Sequence, residues 1–239
     1  MSMDLDYQIA AQARSSERVA FIRRTYGHLA GAILAFACIE AALFHFAFGF
    51  VQATVGTMLM QPVAWLFVIG AFMVVSWIAT AWAQSDTSPG MQYMGLGLYV
   101  VAEAVIFLPL LFIATQVPQF AEGHILEKAA VMTLAVFAGL TLAVFLSGKD
   151  YSALGTYLSV GGMIAFGLIV ASILFGFDLG LFFCFAMVAL ASGCIIYQTS
   201  NVIHKFRTDQ HVAAALTLFA AVALLFYYIL IIFLRMSRR

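Results

Sequence analysis

The chain has 239 residues, 64% of them hydrophobic and 9% charged, and its formal net charge is zero. A soluble domain carries about 45–50% apolar and about 25% charged residues, so this composition belongs to a protein whose solvent is lipid. Balanced charge, with no basic stripe and no zinc-finger spacing, excludes nucleic acid as a partner. At about 20 residues per crossing, the length holds several spans and little else.

Residues 1–25 form a polar tail of mixed charge with one apolar stripe, expected to be a short interfacial helix or a loose cytoplasmic segment. A sorting or protease-engaging role is the alternative. The apolar run that follows is too long for a cleavable signal. Seven apolar runs then succeed one another, at 26–50, 63–83, 91–115, 129–147, 153–176, 179–199 and 213–235. Each is long enough, or nearly so, to cross a hydrocarbon core of about 30 Å. They have to be helices, because open strands would leave backbone groups unpaired in lipid and no run alternates with period two. The expected fold is therefore an all-α polytopic bundle of seven transmembrane helices, over residues 26–235, with a short basic end at 236–239.

Orientation follows from the basic residues. Arg14, Arg18, Arg23 and Arg24 precede the first run, and Lys149, Lys205 and Arg207 fall in loops on the same side. These place the N-terminus in the cytoplasm, with the cytoplasmic (inner) membrane as location. Arg235, Arg238 and Arg239 dissent, since seven crossings put them outside, and a last or sixth run that dips without crossing would remove the conflict.

Small residues recur every fourth position: Gly27, Gly31 and Ala35 in the first run, Ala135, Gly139 and Ala143 in the fourth, Ala189 and Gly193 in the sixth. Such spacing lets helix backbones approach closely and implies a compact bundle, not a pore. Phenylalanines and Trp65, Trp77 and Trp82 read as lipid-facing bulk and interfacial anchors. Cys38, Cys184 and Cys194 lie in apolar runs and read as small buried hydrophobes, the last two on different helix faces. No cofactor is implied and no metal site is firm.

Two residues stand out. Glu40 lies about fourteen positions into the first run and Glu103 about twelve into the third, so both fall near the bilayer midplane. No lysine or arginine lies deep in any run. A carboxyl group there has to be protonated, hydrogen-bonded to a group such as Tyr99, or opposite a bound cation. Pro109 adds an acceptor at depth by releasing the carbonyl of Val105. If the two helices turn these carboxyls toward one another, they can share a proton or hold a cation; otherwise each staples two helices.

The sixth run ends in "YQTSNVIH" at 197–204, followed by a polar turn and a last apolar helix. This stretch, with the entry "RVAFIRRTYGHLAGAILAFA", resembles the Bax inhibitor/YccA family of integral membrane proteins. The resemblance implies a seven-helix bundle with the last helix at its centre. It also implies a role as a modulator of an FtsH-type membrane protease or of membrane stress or, alternatively, a pH-dependent leak of calcium or another cation through intramembrane carboxyls; eukaryotic members are linked to suppression of cell death. Calcium-leak members carry paired aspartates in the last two helices. Here Gln198 occupies the first position, Ala221 is the best match for the second, and no acidic residue follows His211, so that latch cannot operate. Tyr197, Gln198, Thr199, Ser200 and Asn201 are accordingly expected to cap the helix independently of pH. His204 and His211 read as solvated loop residues. Ca²⁺ belongs only to the alternative. An enzyme is not expected: "LSG" at 146–148 is rhomboid-like only superficially, with no histidine placed to activate Ser147.

Overall fold

A computed structural model describes residues 9–85 and 88–237. Its helices are α1 (Ser15–Phe46), α2 (Phe48–Met60), α3 (Pro62–Ala83), α4 (Pro89–Gln116), α5 (Pro118–Ala121), α6 (Ile125–Ser147), α7 (Leu154–Phe175), α8 (Gly180–His204) and α9 (His211–Ser237). All except α2 and α5 are long and apolar enough to cross a bilayer, which makes this an all-α multi-pass membrane protein with seven spans.

Local chemistry sets the boundaries. Ser88 caps α4, its hydroxyl accepting from the Met91 N–H at 3.2 Å, with Pro89 in the first turn. The helix stops at Gln116, because Val117, the residue before Pro118, is extended. Gly148 and Gly176, at φ 59° and 71°, end α6 and α7 in the left-handed conformation that costs glycine least.

The last helix is the axis. In α9, 61% of the most apolar stretch is buried inside the protein and in α4 56%, against 6% in α3 and α7. One apolar cluster, containing Phe21, Leu29, Val100, Val212 and Phe219, fills the end of the bundle nearer the N-terminus. A second, with Phe107, Ile195, Leu225 and Leu230, fills the other half. Helix α9 runs through both, so the centrality implied by the family resemblance holds.

Contacts between loops fix which termini share an end. The Ala10 N–H bonds the Phe206 carbonyl at 2.9 Å, and the Tyr151 N–H bonds Ser200 Oγ at 2.8 Å, joining the N-terminus, the α6–α7 loop and the α8–α9 loop. At the opposite end, Gln119 Nε2 donates to the Ser237 carbonyl at 2.7 Å, and Arg235 pairs with Asp178. All seven long helices therefore run end to end, neither the sixth nor the last run dips, and Arg235 sits at the end opposite the N-terminus, its charge matched there by Asp178; Arg238 and Arg239 lie outside the described residues.

Three expectations are revised. The supposed tail 1–25 is helical from Ser15, continuous with the first span, and Ala10 is fully buried in the core; residues 1–8 lie outside the described part. The first span ends at Phe46 rather than 50, and the stretch that follows, most of it left between the first and second apolar runs, is helix α2. Its Val51, Val55 and Met58 are buried at helical spacing, Val51 and Val55 packing with Leu108. At about 1.5 Å per residue this helix is too short to cross. The small-residue stripes also behave differently. A Cβ at Gly27, Gly31 or Gly139 would touch nothing within 4 Å, so these face outward. Of the glycines singled out, Gly193 makes the expected close approach, its Cβ position 2.8 Å from Leu158. The tightest approach is at Gly95, where a Cβ would lie 2.5 Å from the Ala79 carbonyl oxygen and 2.6 Å from the Ala83 nitrogen, so α3 and α4 touch backbone to backbone.

Candidate functional site

The bundle is not solid. A cavity of about 850 Å³ lies between α3, α4, α7, α8 and α9. Its wall includes Gly180 and Gln198 of α8 and Thr217 and Arg235 of α9. Eighteen residues separate the members of each pair, so the cavity follows the helices for about 27 Å, close to the thickness of a hydrocarbon core. Beyond Gln198 and Thr217 the same helices are tightly packed, with Val202, Val212 and Leu216 buried.

Glu103 sits on this wall, near the middle of α4. Its side chain is 7% exposed, and the Tyr99 hydroxyl, one turn back on the same face, is beside it as the sequence suggested. Ser76 of α3 also lies near the Tyr99 hydroxyl. A phenol next to a carboxyl can donate to its ionised form or accept from its acid form, so the pair offers an adjustable polar station in an otherwise apolar passage.

Glu40 is placed differently. It is 6% exposed, but it does not line the cavity, and neither carboxyl oxygen has a hydrogen-bond partner among the described residues. The two glutamates are therefore not hydrogen-bonded to each other, and the shared-proton arrangement is not formed. A buried carboxyl group with no hydrogen-bond partner carries the full cost of its lost hydration.

The 197–201 motif is not a cap. Helix α8 continues to His204, and successive residues, each turned by about 100°, sweep its whole circumference. Tyr197 packs its ring against Gly155 of α7, whose Cβ position would be 2.9 Å away. Gln198 lines the cavity. Thr199 is buried beside Tyr26 and Thr141, joining α8 to α1 and α6 through three hydroxyls, none of which makes a well-directed hydrogen bond. Ser200 accepts from the Tyr151 N–H and donates to Asp150 Oδ1 at 3.3 Å. The Asn201 carbonyl accepts the N–H groups of Lys205 and Phe206, and its side-chain amide donates to Gln198 Oε1 at 3.3 Å. Asp150, absent from the sequence reading, holds the Ser152 N–H at 2.8 Å, and this bond keeps its carboxyl below the usual carboxylate range.

The histidines are not simply solvated. His204 Nδ1 donates to the Ser200 carbonyl at 3.1 Å, and the His211 ring lies 4.9 Å from that of His28. Cys184 and Cys194 both face the cavity despite their separation, whereas Cys38 is exposed on α1.

At the C-terminal end of the cavity Arg235 grips Asp178 with both guanidinium nitrogens, at 2.7 and 2.8 Å. These bonds, led by the guanidinium hydrogen bonding, push the Asp178 carboxyl down to about 2. Nothing in the sequence paired them, since 57 positions separate them.

Ca²⁺ takes six to eight oxygen ligands, usually with several carboxylates. Among the described residues no three acidic, histidine or cysteine side chains gather to hold a metal, and Glu103 is the one carboxyl on the cavity wall not already paired with a guanidinium. The donor set does not fit a calcium cage.

The family model for inhibitors of apoptosis-promoting Bax1 matches residues 18–239. The Pseudomonas aeruginosa protein PA2604 is 28% identical over 233 residues, 95% of each chain. Bax inhibitor 1 of Schizosaccharomyces pombe is 26% identical over 92% of this chain and 78% of its own. LIFEGUARD 4 of Arabidopsis thaliana is 30% identical over 60% of this chain and 57% of its own. No solved structure matches. A family match over nearly the whole chain, on a bundle of seven spans closed around its last helix, means that the protein belongs to the Bax1-inhibitor (Bax inhibitor) family of membrane proteins.

Proposed function

We propose that the protein is a proton-linked cation pathway across the bacterial inner membrane, with Glu103 as its intramembrane station and the N-terminal end in the cytoplasm. The observation that carries the reading is the cavity: it extends for about 27 Å along α8 and α9, and its one unpaired carboxyl stands midway along α4. A cation leaving water needs a charge or dipoles at depth to offset its desolvation, and a carboxyl group with an adjacent phenol supplies them. The basic residues around the N-terminal end support the orientation. The test is flux in proteoliposomes loaded with a pH-sensitive or cation-sensitive dye. Flux above that of protein-free vesicles, changing as pH is varied, is expected; vesicles no leakier than controls across the range would end the proposal.

A second reading, modulation of an FtsH-type membrane protease, draws on a different observation. Ile9 pairs with Arg207 as an isolated antiparallel bridge, and Ala10 is buried, so the N-terminal segment and the α8–α9 loop form one surface. A partner engaging that surface needs no cavity. Removing residues 2–8, which spares Ala10, should weaken co-purification of the protease, while Glu103→Gln should leave it unchanged. A deletion extending to residue 13 would remove a packed core residue and confound the result.

A further inference from the structure

The cavity is an unusual surrounding for a small inorganic ion. Apart from Glu103, Gln198, Thr217, Ser172 and a few phenols and thiols, its wall is hydrocarbon and aromatic: Trp65 and Phe72 of α3, Tyr99 and Phe107 of α4, Phe166 of α7 and Tyr227 of α9 all contribute. Asp178 and Arg235 at one end neutralise each other. The lining is thus apolar, rich in aromatic faces, and carries a single uncompensated carboxyl.

Each property selects for a ligand. A volume of about 850 Å³ lies within the range of roughly 300–1,000 Å³ that holds a drug-sized molecule, far more than a dehydrated metal ion fills. Aromatic faces attract cations whose charge is spread over a large, weakly hydrated body. A lone carboxyl satisfies one positive charge, whereas a divalent ion would stay under-coordinated. We infer that the Glu103 cavity is a binding site for a lipophilic organic monocation, an aromatic or alkylated ammonium-type molecule. Its charge sits against Glu103 and its apolar body against the aromatic wall. This deepens the cation-pathway reading by naming the class of cation, but binding and transport are separable.

Tetraphenylphosphonium and tetraphenylborate provide the test, since they match in size and shape and differ in the sign of charge. In nanodiscs holding the full-length protein, corrected for empty discs, tetraphenylphosphonium should bind saturably at one per chain and tetraphenylborate should not compete. Glu103→Gln should weaken the phosphonium at least tenfold, while Glu40→Gln, outside the cavity, leaves it unchanged. Calcium at millimolar concentration should not displace it. A footprint on the wild type avoids dependence on any variant folding: phosphonium should slow alkylation of Cys194, on the wall, by N-ethylmaleimide, and leave Cys38, on the outer face of α1, untouched.

Equal competition by the borate, or an unaltered Glu103→Gln, or no protection of Cys194 by a saturating phosphonium, would overturn the site. Saturable binding without flux in proteoliposomes would keep the site and remove the pathway. Flux of inorganic cations without phosphonium binding would do the reverse.

Discussion

The two sides of the α4–α9 core each bury a glutamate within a membrane-spanning helix and treat it in opposite ways. On the α1 side Glu40 is enclosed with no partner for either oxygen among the described residues. On the α3–α7 side Glu103 stands on a cavity wall beside a phenol. Helix packing accounts for the difference. Gly95 brings α4 into backbone contact with α3, and Gly193 and Gly155 bring α8 and α7 together, so the cavity is bounded by helices held at fixed, short separations. Depth in the membrane makes a carboxyl expensive; what it can do depends on whether the neighbouring helices leave room next to it.

The sharpest way to break this comparison is to force α3 and α4 apart. Gly95→Val should destabilise the protein by about 3 kcal/mol or more, because backbone atoms on α3 cannot move aside as a side chain would, and Gly95→Ala by about 1–3 kcal/mol. Gly27→Ala and Gly139→Ala, at positions that meet nothing, should be neutral or slightly stabilising, since alanine favours helix by about 1 kcal/mol over glycine. Thermal unfolding in detergent measures all four. Equal loss at Gly95 and Gly27 would mean that the close approach is not what shapes the cavity.

Next comes the unpartnered carboxyl. Glu40→Leu should stabilise the bundle by about 1–3 kcal/mol, the cost of leaving a buried polar group unsatisfied, whereas Glu103→Leu should bring no such gain because Tyr99 loses its neighbour. If Glu40→Leu proves destabilising, Glu40 has a partner and is a staple after all.

How much of this was legible beforehand depends on what each signal encodes. Hydropathy marks the spans because lipid acts on every residue of a run, and Glu40 and Glu103 stood out because charge at depth is rare. Helix α2 escaped because Gln52, Thr54 and Thr57 dilute an apolar stripe that only its packing on α4 makes visible. The four-residue spacing of Gly27 and Gly31 shows that a helix can approach, not that one does; Gly95, without such a repeat, makes the contact. The 197–201 motif was recognisable as a string, but its outward fan could not be read until the helix was known to continue to His204. The Asp178–Arg235 pair links turn and terminus across 57 positions, a distance at which sequence spacing carries no information.

The smallest expected effect lies at that pair. The hydrogen bonds from Arg235 push the Asp178 carboxyl down to about 2, below the ordinary aspartate value of 3.8. A depressed folded value contributes stability that is present above about pH 4 and fades as pH falls toward 2. Both groups are partly exposed, so the contribution is under about 1 kcal/mol and shrinks with salt. Asp178→Asn should thus shift the unfolding temperature slightly at neutral pH and low salt, and progressively less as pH falls through about 2. A large shift at neutral pH would make the pair a structural clasp of the cavity's end instead of a surface contact.

The central claim is that only one of the two buried carboxyls serves a pathway. It is tested most directly by measuring pH-dependent cation flux through wild type, Glu40→Gln and Glu103→Gln side by side in proteoliposomes of matched protein content. The account predicts wild-type flux in Glu40→Gln, within about twofold, and loss of at least tenfold in Glu103→Gln, the larger figure corresponding to about 1.4 kcal/mol or more. Equal loss in both variants, or flux undiminished in Glu103→Gln, would contradict it.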